Sequence, residues 1–165
     1  MGEGILTYGI GGGKRRYTRD LQTFSDAVLA RGKSNGSFYI FGKTNKAYLS
    51  DLVKRGVRLK SDVAAITDKT ILKYRNHPKR RKGAVVSFNR FRMVESAVKH
   101  PKNVYIDTHR KRLVYVSSVK YSPTKVLKVV IEPNQRVGKK YYNQVTSIGI
   151  VDRTKMNDPI YKKIK

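Results

Sequence analysis

No cysteine occurs in the 165 residues, which removes disulfides, thiolate nucleophiles and zinc–thiolate sites from consideration. Acidic residues are also scarce: 11 Asp and Glu face 37 Lys and Arg, a formal net charge of +26. The carboxylates are scattered singly; none heads a [DE]-x-K triplet, and no two are spaced to meet on one strand or helical turn. Two-metal phosphodiester chemistry needs clustered anions to hold its ions, so this pattern speaks against it. His77, His100 and His109 lie too far apart in sequence to form a local metal pair. No apolar run approaches the roughly 20 residues that span a bilayer. No helix pairs a basic face with a broad apolar one, and the opening "MGEGILTYGIGGGKRRYTR" lacks the apolar core of a secretory signal. The expectation is a cytoplasmic or virion-associated protein with no membrane partner.

What remains is positive charge on a chain with enough apolar residues, 39%, to bury a core. Self-repulsion of that size opposes compaction unless a polyanion screens it, so nucleic acid is the first partner to consider.

Along the chain, residues 1 to about 19 read as a basic arm. "DLQTFSDAVLARGK" places Leu21, Phe24 and Val28 at helical spacing, with Gly32 as its stop. The segment 1–35 therefore reads as a basic arm and leading helix, outside or linked to a domain over 36–165. "GSFYIFGKTN" predicts a strand from Phe38 to Phe41, and Thr44 or Asn45 caps a helix "KAYLSDLVKR" ending at Gly56. "VRLKSDVAAIT" is extended; Thr67 or Asp68 caps a helix over Lys69–Asn76, stopped by Pro78. "SFNRFRMVESAVKHP" carries Phe88, Phe91, Val94 and Val98 on one face and halts at Pro101. Beyond it, "NVYID", "RLVYVSSV", "KVLKVVIE" and "YYNQVTSIGIV" are β-rich, the first two joined by the hairpin link "THRK". Helices followed by strands predict an α+β fold, helices on one face of a mostly antiparallel sheet.

"GSFYIFGKT" ends like a Walker A loop. Five residues separate Gly36 from Gly42, however, and four of them are Phe38, Tyr39, Ile40 and Phe41. Bulky strand residues do not make a cradle of amides around phosphate. A faint likeness of "YIFG" to GIY-YIG nucleases lacks that family's partner motif.

RNA supplies its own nucleophile, the 2′-hydroxyl. Its cleavage needs a base, an acid and donors for the phosphorane, but no metal or other cofactor. The stretch "ILKYRNHPKRRKGAV" offers such groups. On the expected helix Lys73 and His77 are four residues apart and share a face, and the lysine's charge favours the neutral, basic imidazole. Arg75, Lys79, Arg80, Arg81 and Lys82 surround them as phosphate partners. The competing reading makes His77 an ordinary helix-end residue, and His100 and His109 invite the same reading at a helix end and a hairpin turn.

From "FYIFGKTNKAYLSDLV" through "AITDKTILKYRNHPKRRKGAVV" to "VKHPKNVYIDTHRKRLVYV" and "VTSIGIVD", the order of parts resembles the barnase–EndoU–colicin–RelE-like nucleases of phage head proteins and polymorphic toxins. The shared parts are a Gly-Lys-Thr turn, a helix with a Lys…His pair and a second helix closed by His-Pro. An aromatic strand pair follows, then a last strand bearing hydroxyls. The resemblance covers roughly residues 37 to 152. It implies N-terminal helices against a roughly four-stranded antiparallel sheet and a metal-independent ribonuclease, a toxin or phage effector. Carried over, His77 and Lys73 are active-site residues and Thr146 or Ser147 contacts the scissile phosphate. Arg112, Tyr115 and Tyr142 are candidate substrate contacts from the strands. Expected partners are RNA (tRNA or another structured RNA), an acidic immunity or antitoxin protein, and a phage capsid. The rival expectation is a non-catalytic nucleic-acid-binding or virion protein using the same charge.

Overall fold

Each helix of the N-terminal half begins where a side chain satisfies an amide that the helix leaves unpaired. In the computed structural model, which describes residues 7–8, 15–17, 20–74 and 91–165, helix α1 spans Leu21–Arg31. The Asp20 carboxylate accepts the Thr23 N–H, and Gly32 closes the helix at φ 77°, where a side chain would be strained. Asn45 caps α2 (Lys46–Lys54) through Ala47 N–H, and Thr67 caps α3 (Asp68–Lys73) through Thr70 N–H. Helix α4 spans Phe91–Lys99. Phe88, expected on its apolar face, lies outside the described residues, as do 75–90 throughout.

The strands are β1 (Thr7–Tyr8), β2 (Arg15–Tyr17), β3 (Phe38–Lys43), β4 (Val63–Thr67), β5 (Asn103–Asp107), β6 (Arg112–Val119), β7 (Ser122–Val137), β8 (Lys140–Asp152) and β9 (Tyr161–Lys163). They form one sheet in the order β1-β2-β3-β4-β8-β7-β6-β5-β9. The fold is α+β and the sheet mostly antiparallel. It has nine strands rather than about four, and β2–β3 and β4–β8 run parallel. The extra strands escape the sequence pattern because β1, β2 and β9 are only two or three residues long. The helices, expected as an N-terminal block, alternate with β3 and β4.

Alternation along the strands sorts side chains to two faces. One face, with Tyr39, Ile66, Leu113, Leu127 and Val145, joins residues from all four α-helices in the main core. The opposite face carries two small clusters, around Val114, Val130 and Met156 and around Phe38, Ala65 and Tyr142. Met156 comes from a 3-10 helix, Arg153–Asn157, so helical structure is not confined to one face. Leu21, Phe24 and Val28 of α1 are fully enclosed; the leading helix belongs to the core. Truncating Phe24 to alanine there would cost about 3–5 kcal/mol.

A buried and a half-buried carboxylate tie these layers together. Asp68 at the start of α3 accepts from Arg31, Ser34 Oγ and the Asn35 amide, all within 3.1 Å. Glu95 on α4 accepts the Leu21 amide at 3.2 Å and the Tyr39 hydroxyl, and pairs with Lys99 at 3.0 Å. Each is satisfied several times over, as a buried charge must be. Two of the few acids, Asp68 and Glu95, are thus committed to the fold.

Candidate functional site

Helix α3 is short. It ends at Lys73, with Tyr74 as its C-cap, where the sequence led us to expect helix to Asn76. The expected pairing of Lys73 with His77 falls partly outside the described residues. His77, Arg75, Lys79, Arg80, Arg81 and Lys82 all lie outside the described residues.

The end of α3 meets an irregularity in β8. Val130 pairs with Ser147, but Ile131 pairs with Val145, so Thr146 is an extra residue in β8, a β-bulge. A bulge turns a carbonyl and its neighbouring side chains away from the ladder. Here the exposed Lys73 Nζ donates to the Thr146 carbonyl at 2.8 Å. Beside it, Tyr74 is buried (3% exposed), and its hydroxyl accepts the Ile148 amide at 2.6 Å and a bond from the Ser147 side chain. Burial raises the Tyr74 pKa, and these two hydrogen bonds offset part of the rise. Thr146 Oγ1 is enclosed and has no partner among the described residues. The structure thus brings Lys73, Thr146 and Ser147 together from segments 73 residues apart.

Chemically, the arrangement presents one exposed ammonium at the bulge. The carbonyl occupies one of the three ammonium protons, leaving two for a phosphate oxygen. The neighbouring hydroxyls are not turned to an anion in the same way: Thr146 Oγ1 is enclosed and Ser147 donates to Tyr74. Sequence reasoning overlooked Tyr74, the residue that locks the bulge to the helix; its one signal was an aromatic three residues after Ile71, on the buried side of α3.

The other strand candidates are elsewhere. Arg112 divides its guanidinium between Asp107 (3.1 Å) and Glu132 (3.0 Å). Burial alone would raise the Asp107 pKa, but the Arg110 amide, the Arg112 guanidinium and the His109 amide outweigh it and hold the carboxyl below its ordinary range. Arg112 is thereby engaged in the fold. Tyr142 packs against Phe38 on the sheet's opposite face, ring centroids 5.4 Å apart. Tyr115 is on the helical face and lines a cleft of about 710 Å³ with Tyr48 and His100. The cleft reaches Ala64, which pairs with Asn143, three residues before the bulge and so about 10 Å along β8 from it. His109 sits in the β5–β6 turn, its amide bonded to Asp107.

The Gly-Lys-Thr turn is no phosphate cradle: the Thr44 amide is spent on the Asp62 carbonyl at 2.7 Å. No three His, Asp or Glu side chains converge among the described residues, and no helix among them is long and apolar enough to cross a membrane. Comparison with family models, with curated proteins and with solved structures gives no match to this chain.

Proposed function

We propose that the protein binds RNA and cleaves it without a metal, at the junction of α3 with the β8 bulge. The observation that carries this reading is the Lys73 ammonium held on the Thr146 carbonyl, with Ser147 and Tyr74 fixed beside it. In the reaction, the RNA 2′-oxygen attacks phosphorus as a base takes its proton, and the 5′-oxygen leaves as an acid returns one. The products are a 2′,3′-cyclic phosphate and a 5′-hydroxyl. His77 serves as base or acid and Lys73 stabilises charge on the phosphorane, while Thr146 and Ser147, the one enclosed and the other bonded to Tyr74, shape the bulge that holds it rather than donating to the phosphate as expected. Arg75, Lys79, Arg80, Arg81 and Lys82 grip the flanking phosphates. The fold, on this reading, is that of the barnase–EndoU–colicin–RelE-like nucleases, with strands added to their sheet.

A ribonuclease made in a cytoplasm endangers its producer, so an acidic inhibitor is the partner to expect, captured rapidly by a surface of this charge. The test is incubation of the purified chain with total RNA in EDTA, beside His77→Ala. Cleavage that disappears in the variant supports the proposal. RNA retention with no cleavage by the wild type would instead favour a non-catalytic binder.

A further inference from the structure

The cleft beside Tyr115 has its own chemistry. Its walls include Lys43, Lys99, His100 and Lys165, and no Asp or Glu side chain lines it. Lys43 is 79% exposed, and its ion pair with Asp62, 3.9 Å long and open to solvent on both sides, is a weak one that an anion in the cleft can compete with. Lys99 and Lys165 are each fixed by a single contact, to Glu95 and to the Pro101 carbonyl, which leaves further N–H donors on both. At the floor, the Tyr48 and Tyr115 rings meet edge to face, centroids 5.8 Å apart. Tyr115 is only 3% exposed. Its hydroxyl is held strongly protonated by burial and by neighbouring Tyr48, with no hydrogen bond contributing. A buried phenol normally finds a partner; this one opens onto the cleft.

An aromatic floor, a phenolic donor and a cationic rim, in a volume typical of small-molecule sites, match one ligand class. We infer that the cleft binds a single nucleoside monophosphate unit, its base held by the Tyr115 hydroxyl and its phosphate on Lys43 and His100. The unit is either a free nucleotide or an unpaired nucleotide of RNA. This site is separate from the bulge and does not depend on the cleavage reaction.

Titration of the wild-type chain with nucleoside 5′-monophosphates, nucleosides and inorganic phosphate, by calorimetry, tests it. The monophosphates should bind about tenfold or more tighter than either half alone, the effect of one charge-assisted contact. Lys43→Glu with His100→Ala should weaken them by at least that factor, whereas Lys120→Glu, an exposed site outside the cleft, should not. Tyr115→Phe keeps the ring and should weaken binding about fivefold with little change in thermal midpoint, through loss of one hydrogen bond. An unpaired 2′-O-methyl oligonucleotide that displaces the nucleotide identifies RNA as the source; failure to displace identifies the free nucleotide. Equal loss in Lys120→Glu, or phosphate binding as tightly as the monophosphates, would reduce the effect to bulk charge and overturn the inference.

Discussion

The Lys73 ammonium donates to the Thr146 carbonyl at 2.8 Å across 73 residues of chain, and it does so at the one residue of β8 that its pairing with β7 leaves over between Val145 and Ser147. Because Lys73 is exposed, this contact adds little to stability. Lys73→Ala should change the unfolding free energy by less than about 0.5 kcal/mol and leave the urea midpoint nearly unmoved. Ribonuclease turnover should fall about 10²–10³-fold if Lys73 stabilises the phosphorane. Parallel unfolding and single-turnover assays separate the two effects.

Tyr74→Phe should behave in the opposite way. Removing the hydroxyl leaves the buried Ile148 amide without its partner, a loss of about 1–3 kcal/mol. Chemical denaturation measures it, and hydrogen exchange at the Ile148 amide should accelerate.

Arg112 tests the distinction between fold and surface. With its guanidinium shared by Asp107 and Glu132, Arg112→Ala should destabilise by about 1–3 kcal/mol. RNA affinity at fixed salt should fall no more than for Lys120→Ala. The Asp107 carboxyl titrates below its ordinary value, so the folded state binds its proton more weakly than the unfolded chain. Its contribution is complete above the unfolded pKa of about 3.9 and is lost as pH falls from there through the folded value. Acid unfolding of Arg112→Ala should accordingly begin at higher pH than that of the wild type.

Alkaline pH should act through three phenols. Tyr39, Tyr74 and Tyr115 all have raised pKa values, with burial as the leading cause. Their folded forms hold protons more tightly than the unfolded chain. Stability is therefore complete below about pH 10, the unfolded value, and declines as pH rises beyond it. Absorbance at 295 nm should show a class of phenols that ionises only as near-ultraviolet circular dichroism disappears.

Much of the helical half was legible because its signals are local. Asp20, Asn45 and Thr67 are side-chain caps, Gly32 supplies a positive φ, and Leu21, Phe24 and Val28 keep helical period. Strands β5 and β6 were equally plain, since a hairpin's register is set by its turn. The parallel pairing of β4 with β8 left no trace, because Ala64 and Asn143 are distant in sequence and neither announces the other. Nor does a bulge at Thr146 have a residue signature. Placing Thr146 and Ser147 with Lys73 in advance rested on a resemblance between sequences, not on spacing. That Tyr142 and Arg112 lie apart from the bulge was not legible for one physical reason: strand alternation says which residues share a face, but not which face meets the helices or which arginine already has its anions.

A defined RNA oligonucleotide in EDTA gives the most direct measurement, with its products identified by mass spectrometry for the wild type and Lys73→Ala. The wild type should give fragments ending in a 2′,3′-cyclic phosphate and spare any position bearing a 2′-deoxyribose, and Lys73→Ala should be about 10²–10³-fold slower. Intact RNA, bound and released unchanged as salt rises, would contradict the proposed cleavage.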